Sequence, residues 1–122
     1  MPLAYVLDEH LRGLLWDAIR QHNAGGVNVI DVTRVGDPAD LPLGTQDPDL
    51  LLWAERENRV VVTRDWNTMP GHLANHLQGG HHSPGVFILR RGLSLPQLVD
   101  ILVLTAYAVD PAEARDQVRY LP

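Results

Sequence analysis

Apolar residues along the chain switch repeatedly between two spacings. Leu3–Leu7 is a short continuous apolar run suited to a strand. After it, Leu11, Leu14, Leu15 and Ile19 recur at helical spacing until Gly25 or Gly26 ends the helix. Residues 27–35 (VNVIDVTRV) alternate and are β-branched, which predicts a second strand. Residues 36–46 carry Gly, Pro and Asp too densely for regular structure and predict a loop free to move. Residues 47–59 (DPDLLLWAERENR) predict a helix with Asp47 as N-cap and Pro48 at the first helical position, followed by Leu51, Leu52 and Glu55. The run Val60–Val62 then stops abruptly at Thr63, Arg64 and Asp65. Pro70 and Gly71 punctuate a short helix in 67–78, 79–85 is a loop, and VFILRR (86–91) is a fourth strand. Ser94 as cap and Pro96 in the first turn open a strongly apolar helix, and Asp110–Pro111 restarts the chain as another short capped helix.

Strands alternating with helices predict an α/β fold: a three-layer α/β/α sandwich around a central, mostly parallel sheet of four to five strands with Rossmann-like topology and right-handed crossovers. At 122 residues the whole chain, 1–122, reads as one domain. A central parallel strand is buried on both faces, so the first acid after it marks where the chain surfaces, and that carboxyl end is where open α/β sheets bind ligands. Asp8 follows the first strand and Asp65 the third, so the two share one sheet edge. Asp47 begins the helix that leads into the third strand.

Composition narrows the chemistry. With no cysteine there is no disulfide scaffold, thiol nucleophile or cysteine metal site. Met1–Leu7 is too short for a signal peptide or a membrane span before Asp8, Glu9 and His10 interrupt it, so the expectation is a cytoplasmic protein without membrane contact. A net charge of −5 argues against coating nucleic acid through bulk positive charge, so any RNA contact is local. All ten basic residues are arginines. Arg12, Arg64 and Arg90 lie near predicted strand ends, where a guanidinium can hold phosphate; solvated surface is the plainer reading of each.

The chain has no G-x-S-x-G elbow, Walker loop or G-x-G-x-x-G, which leaves acids as the chemistry. Clustered carboxylates form a hard-oxygen site for Mg²⁺ or Mn²⁺, and such ions can hold the oxygens of an in-line phosphoryl displacement. Metal-dependent phosphodiester hydrolysis is the corresponding reaction. Thr63 and Arg64 are expected to finish the strand and meet solvent, with Thr63 able to hold a metal-bound water. His72 and His76 are spaced i, i+4, and with His81 and His82 they offer four imidazoles for zinc; without an H-E-x-x-H pattern, solvated or substrate-facing roles are preferred. Trp16 and Trp53 read as core, whereas Trp66 flanks Asp65 and reads as exposed.

The segments YVLDEHL and QDPDLLLWAERENRVVVTRDWNTM resemble the PIN-like nucleases, in particular the short PIN-like family with a strand ending in D-E-N and a later acid, helix, strand and T-x-D-x-D. The similarity spans roughly residues 3–91 and is strongest over 47–69. It implies that Asp8, Asp47 and Asp65 are catalytic metal ligands of a Mg²⁺- or Mn²⁺-dependent endoribonuclease, often the toxin of a toxin–antitoxin pair. RNA would be its substrate, with a small antitoxin and a homodimer as further partners. Two positions depart from the pattern: Asn67 replaces the second acid and His10 replaces the Asn. An amide oxygen brings no charge, which lowers ion affinity. Glu9 and Asp49 are the candidates for an additional ligand. The other reading is a PIN-like domain that no longer cleaves and acts as a binding or assembly module. If the three acids cluster without a cation, at least one carboxyl pKa should rise and Asp65→Asn should stabilise the metal-free protein at neutral pH.

Overall fold

The computed structural model describes residues 2–11 and 13–121. Five strands form one all-parallel sheet, β1 (Tyr5–Leu7), β2 (Val32–Arg34), β3 (Val60–Thr63), β4 (Val86–Leu89) and β5 (Val118–Leu121), in the order β2-β1-β3-β4-β5. The connections carry α1 (Leu14–Ala24), α2 (Asp47–Glu57), α3 (Met69–Gln78), α4 (Leu95–Ala108) and the single turn α5 (Pro111–Ala114). Period-two alternation divides the apolar side chains between two faces. Tyr5, Leu7, Val60, Val62, Phe87 and Leu89 pack with α1 and α4, whereas Val6, Val61, Val86 and Ile88 pack with α2 and α3. Helices therefore cover both faces of the sheet, as expected. Among the described residues no helix is long and apolar enough to cross a membrane.

Local structure departs from the periodic reading in four places. Residues 27–31 are not strand: Asn28 has φ +50°, outside the extended region, and the Asn23 amide clasps Ile30 from the helix, accepting from its N–H and donating to its carbonyl, each at 2.9 Å. A 3₁₀ turn at Glu9–Leu11 shifts the phase of α1, so Leu15 and Ile19 face the core and Leu14 is 73 % exposed. The N-cap of α2 is Gln46 rather than Asp47, which occupies the first helical position; neither makes a side-chain capping bond. The final segment holds only one helical turn, where Asp110 accepts from the Ala112 N–H, before Val118–Leu121 adds the fifth strand. Gly85 permits that return. Its φ is +131°, and a Cβ there would lie 2.6 Å from the Ala114 carbonyl oxygen. Elsewhere the capping expectation stands, since Ser94 and Gln97 form a reciprocal capping box on α4.

Candidate active site

The strand order creates a switch point between β1 and β3. From β1 the chain leaves toward β2, and from β3 it leaves toward β4, so the connections diverge and open a crevice at the carboxyl ends of the two strands. Asp8 extends β1 by one rung, its N–H donating to the Val62 carbonyl at 3.0 Å. It keeps the parity of Val6 and Thr63 keeps that of Val61, so both side chains point toward the α2/α3 side. There the Thr63 hydroxyl donates to Asp8 Oδ2 and accepts the Asp65 N–H at 3.0 Å. Thr63 is thus wholly buried between the two acids instead of meeting solvent.

Asp8 is itself only 7 % exposed. Burial raises its pKa above the ordinary 3.8, a shift opposed by the Thr63 and His10 hydrogen bonds and by His10's charge, and reinforced by Asp47. The His10 N–H reaches Asp8 Oδ1 at 2.9 Å. Asp65 behaves oppositely. Its Oδ2 accepts from the Thr68 hydroxyl, and its Oδ1 from the Thr68 and Asn67 N–H groups at 2.8 and 3.1 Å, which hold its pKa below the ordinary value. Asp65 thereby organises the turn that launches α3. Asp47 Oδ2 faces His72 Nε2 at 3.7 Å, and Glu9 Oε1 accepts the Gly44 N–H at 2.6 Å.

Asp8, Glu9, Asp47 and Asp65 line one cavity of about 240 Å³, with Val35 and Leu50 as its apolar lining and Gly44–Gln46 as one wall. The loop supplying that wall, expected to move, is pinned. Trp53 and Arg56 donate to the Asp40 carboxylate at 3.0 and 2.7 Å, and Leu41 is buried beneath it. Asp49 and Asn67 are exposed and do not line the cavity; Asn67 contributes its backbone N–H to Asp65. Arg64 and Arg90 are exposed and also lie off the cavity, and Arg12 lies outside the described residues. Sequence reasoning missed His72 as a neighbour of Asp47. Its signal was its place one turn into the helix that Asp65 launches.

The donor chemistry of this cavity fits Mg²⁺ or Mn²⁺: carboxylate oxygens from three separate segments, one buried at a cost that a cation would offset. Among the described residues the side chains gathered as a ready metal-ligating trio are Glu55, His76 and His81, not the three acids of this cavity. A cation held among the three acids would therefore require their side chains to draw together or waters to bridge them. Three of the roughly four acceptor sites of Asp65 are already used, so Asp8, Asp47 and Glu9 are the freer donors.

The four histidines of residues 72–82 do not converge. His72 faces Asp47, His82 Nδ1 lies 2.9 Å from Asp116, and His76 and His81 stack beside Glu55. Trp53 is buried, Trp16 is partly buried under the Arg34 guanidinium, and Trp66 is 59 % exposed. No family model, curated protein or solved structure matches the chain. Site geometry and residue chemistry therefore carry the functional argument.

Proposed function

We propose that this chain is a PIN-like endoribonuclease that uses Mg²⁺ or Mn²⁺ to hydrolyse RNA phosphodiesters, acting as the toxin of a toxin–antitoxin pair. One observation carries the reading: Asp8, Asp47 and Asp65, the acids that the resemblance to the PIN-like nucleases implies as ligands, line a single cavity at the β1/β3 switch point. Asp8 and Asp47 hold the ion, Glu9 offers a further carboxylate, and Thr63 fixes Asp8 against the backbone of Asp65. When bound, the ion supplies Lewis-acid activation of water and of the phosphoryl oxygen. His72, beside Asp47, stands where it can hold or release a proton. A small antitoxin, a homodimer and a cytoplasmic location belong to the same proposal.

The test is cleavage of an end-labelled single-stranded RNA by the full chain. We expect cleavage with Mn²⁺ or Mg²⁺, none in EDTA, and a loss on the order of 100-fold in Asp8→Asn. Cleavage that persists in EDTA, or in Asp8→Asn, would sink the reading. A second reading, a binding module that no longer cleaves, draws on the hydrogen-bonded state of Asp65, the exposure of Asn67 and the absence of arginine from the cavity lining among the described residues. It predicts stabilisation by Mn²⁺ without any cleavage.

A further inference from the structure

Glu55, His76 and His81 come from the last turn of α2, the last turn of α3 and the loop entering β4. Glu55 Oε1 lies 3.2 Å from His76 Nε2 and 3.1 Å from His81 Nδ1, and all three atoms fall within 4.8 Å of one another. A tetrahedral zinc site with bonds of about 2.0–2.1 Å has ligand–ligand edges of about 3.3 Å. Two of the three edges are therefore already at coordinating length, and only the two nitrogens need to adjust.

We propose that Glu55, His76 and His81 form a binding site for a divalent transition ion of the zinc class, separate from the carboxylate cavity. Two imidazoles and one carboxylate favour such an ion over Mg²⁺, which takes oxygen donors. The surroundings orient the donors as a metal requires. The His82 N–H donates to Glu55 Oε2 at 3.0 Å, leaving Oε1 for the ion. His76 is buried, its ring stacked on His81 with centroids 4.8 Å apart, so one ligand is preorganised while His81 is accessible. The His82 carbonyl oxygen, 2.8 Å from His76 Nε2, is a fourth donor within reach, with water as the other occupant of that position. The carboxyl ends of α2 and α3 both point here, and their partial negative charge favours a cation.

In the metal-free protein both facing nitrogens have oxygen acceptors and so carry protons. Coordination moves each proton to the other ring nitrogen, freeing the Nε2 lone pair of His76 and the Nδ1 lone pair of His81. Acid competes by forming imidazolium, so binding weakens as pH falls.

The test is calorimetric titration of the full chain with Zn²⁺, with Co²⁺ as a spectroscopic probe. Expected are one equivalent of saturable Zn²⁺ binding and visible Co²⁺ absorption. Affinity should fall by about tenfold or more in His81→Ala and in Glu55→Gln, both at accessible positions, and change less than about twofold in Asp65→Asn and His72→Ala. Circular dichroism verifies that each variant is folded. Absence of one-equivalent binding overturns the proposal, as does binding undiminished in folded His81→Ala. Binding lost in His72→Ala instead would assign the ion to the carboxylate cavity and equally reject this site.

Discussion

The same two helices carry both clusters, at opposite ends. α2 begins with Asp47 at the carboxylate cavity and carries Glu55, beside two histidines, in its last turn; α3 is launched by Asp65 and carries His76 in its last turn. Asp47 and Glu55 are eight positions apart in α2, about 12 Å along the axis. The amino ends of helices favour negative charge, so Asp47 is tolerable there without any ion. The carboxyl ends oppose it, so Glu55 needs cations or hydrogen-bond donors and has them: the His82 N–H chiefly, then His81 and His76, lower its pKa. An acid at a helix start is thus a weak sign of a metal, and an acid at a helix end ringed by imidazoles is a stronger one. What sets the first cluster apart is the burial of Asp8, which is 7 % exposed although its only local partner among the described residues is the single 3₁₀ turn Glu9–Leu11 that it caps.

Crossing the two ions with variants of the two clusters and following melting should separate the helix ends most strongly. Zinc at about 100 times its dissociation constant should stabilise the parent by about 2.7 kcal/mol, and Glu55→Gln should lose most of that while keeping the response to Mn²⁺. Asp8→Asn should do the reverse. If one variant removes both responses, the two ends are a single site or one of them is adventitious.

A smaller effect distinguishes the acids within the cavity. Three hydrogen bonds make Asp65 the organiser of the turn before α3, so Asp65→Ala should cost about 1 kcal/mol, as loss of a capping acid does. Its folded pKa is depressed, so the contribution is present above 3.8 and lost as pH falls through the lower folded value. Urea melts at pH 7 and pH 3 check this. The expectation that Asp65→Asn stabilises the metal-free protein reverses: charge removal there weakens bonds instead of relieving repulsion.

The sheet and the acid-bearing edge were legible because their signals are local. Val60–Val62 can scarcely be anything but a buried strand, and the first acids past β1 and β3 must emerge at one edge of a parallel sheet. β5 was hidden because four residues at the sheet's edge, half exposed, carry little periodic signal after a helix cap. The histidine cluster was hidden for another reason. Glu55 and His81 are 26 residues apart and meet only because α2 and α3 pack side by side, whereas the visible i, i+4 pair His72/His76 is divided between opposite helix ends. Thr63 read as a strand's exit to water, yet its hydroxyl is what joins Asp8 to Asp65.

The smallest effect expected is also the one that isolates burial from repulsion. Asp8 carries a raised pKa chiefly because it is desolvated, with Asp47 a lesser contributor. The folded state therefore binds a proton more readily than the unfolded chain, and the native protein is penalised at pH values above the raised folded pKa. As pH falls through that value the penalty fades, and below 3.8, the ordinary carboxyl value, it is gone. Asp8→Asn removes the charge at nearly constant shape and keeps an acceptor for Thr63 or His10. In EDTA the variant should melt a few degrees above the parent at pH 7, with the advantage shrinking toward pH 4. Because Asp47 contributes less than burial, Asp47→Asn should raise the parent's melting by less than Asp8→Asn does. An equal or larger gain in Asp47→Asn would make repulsion the dominant cost, and the cavity would then be a cluster of carboxylates held apart by charge rather than one buried acid awaiting a cation.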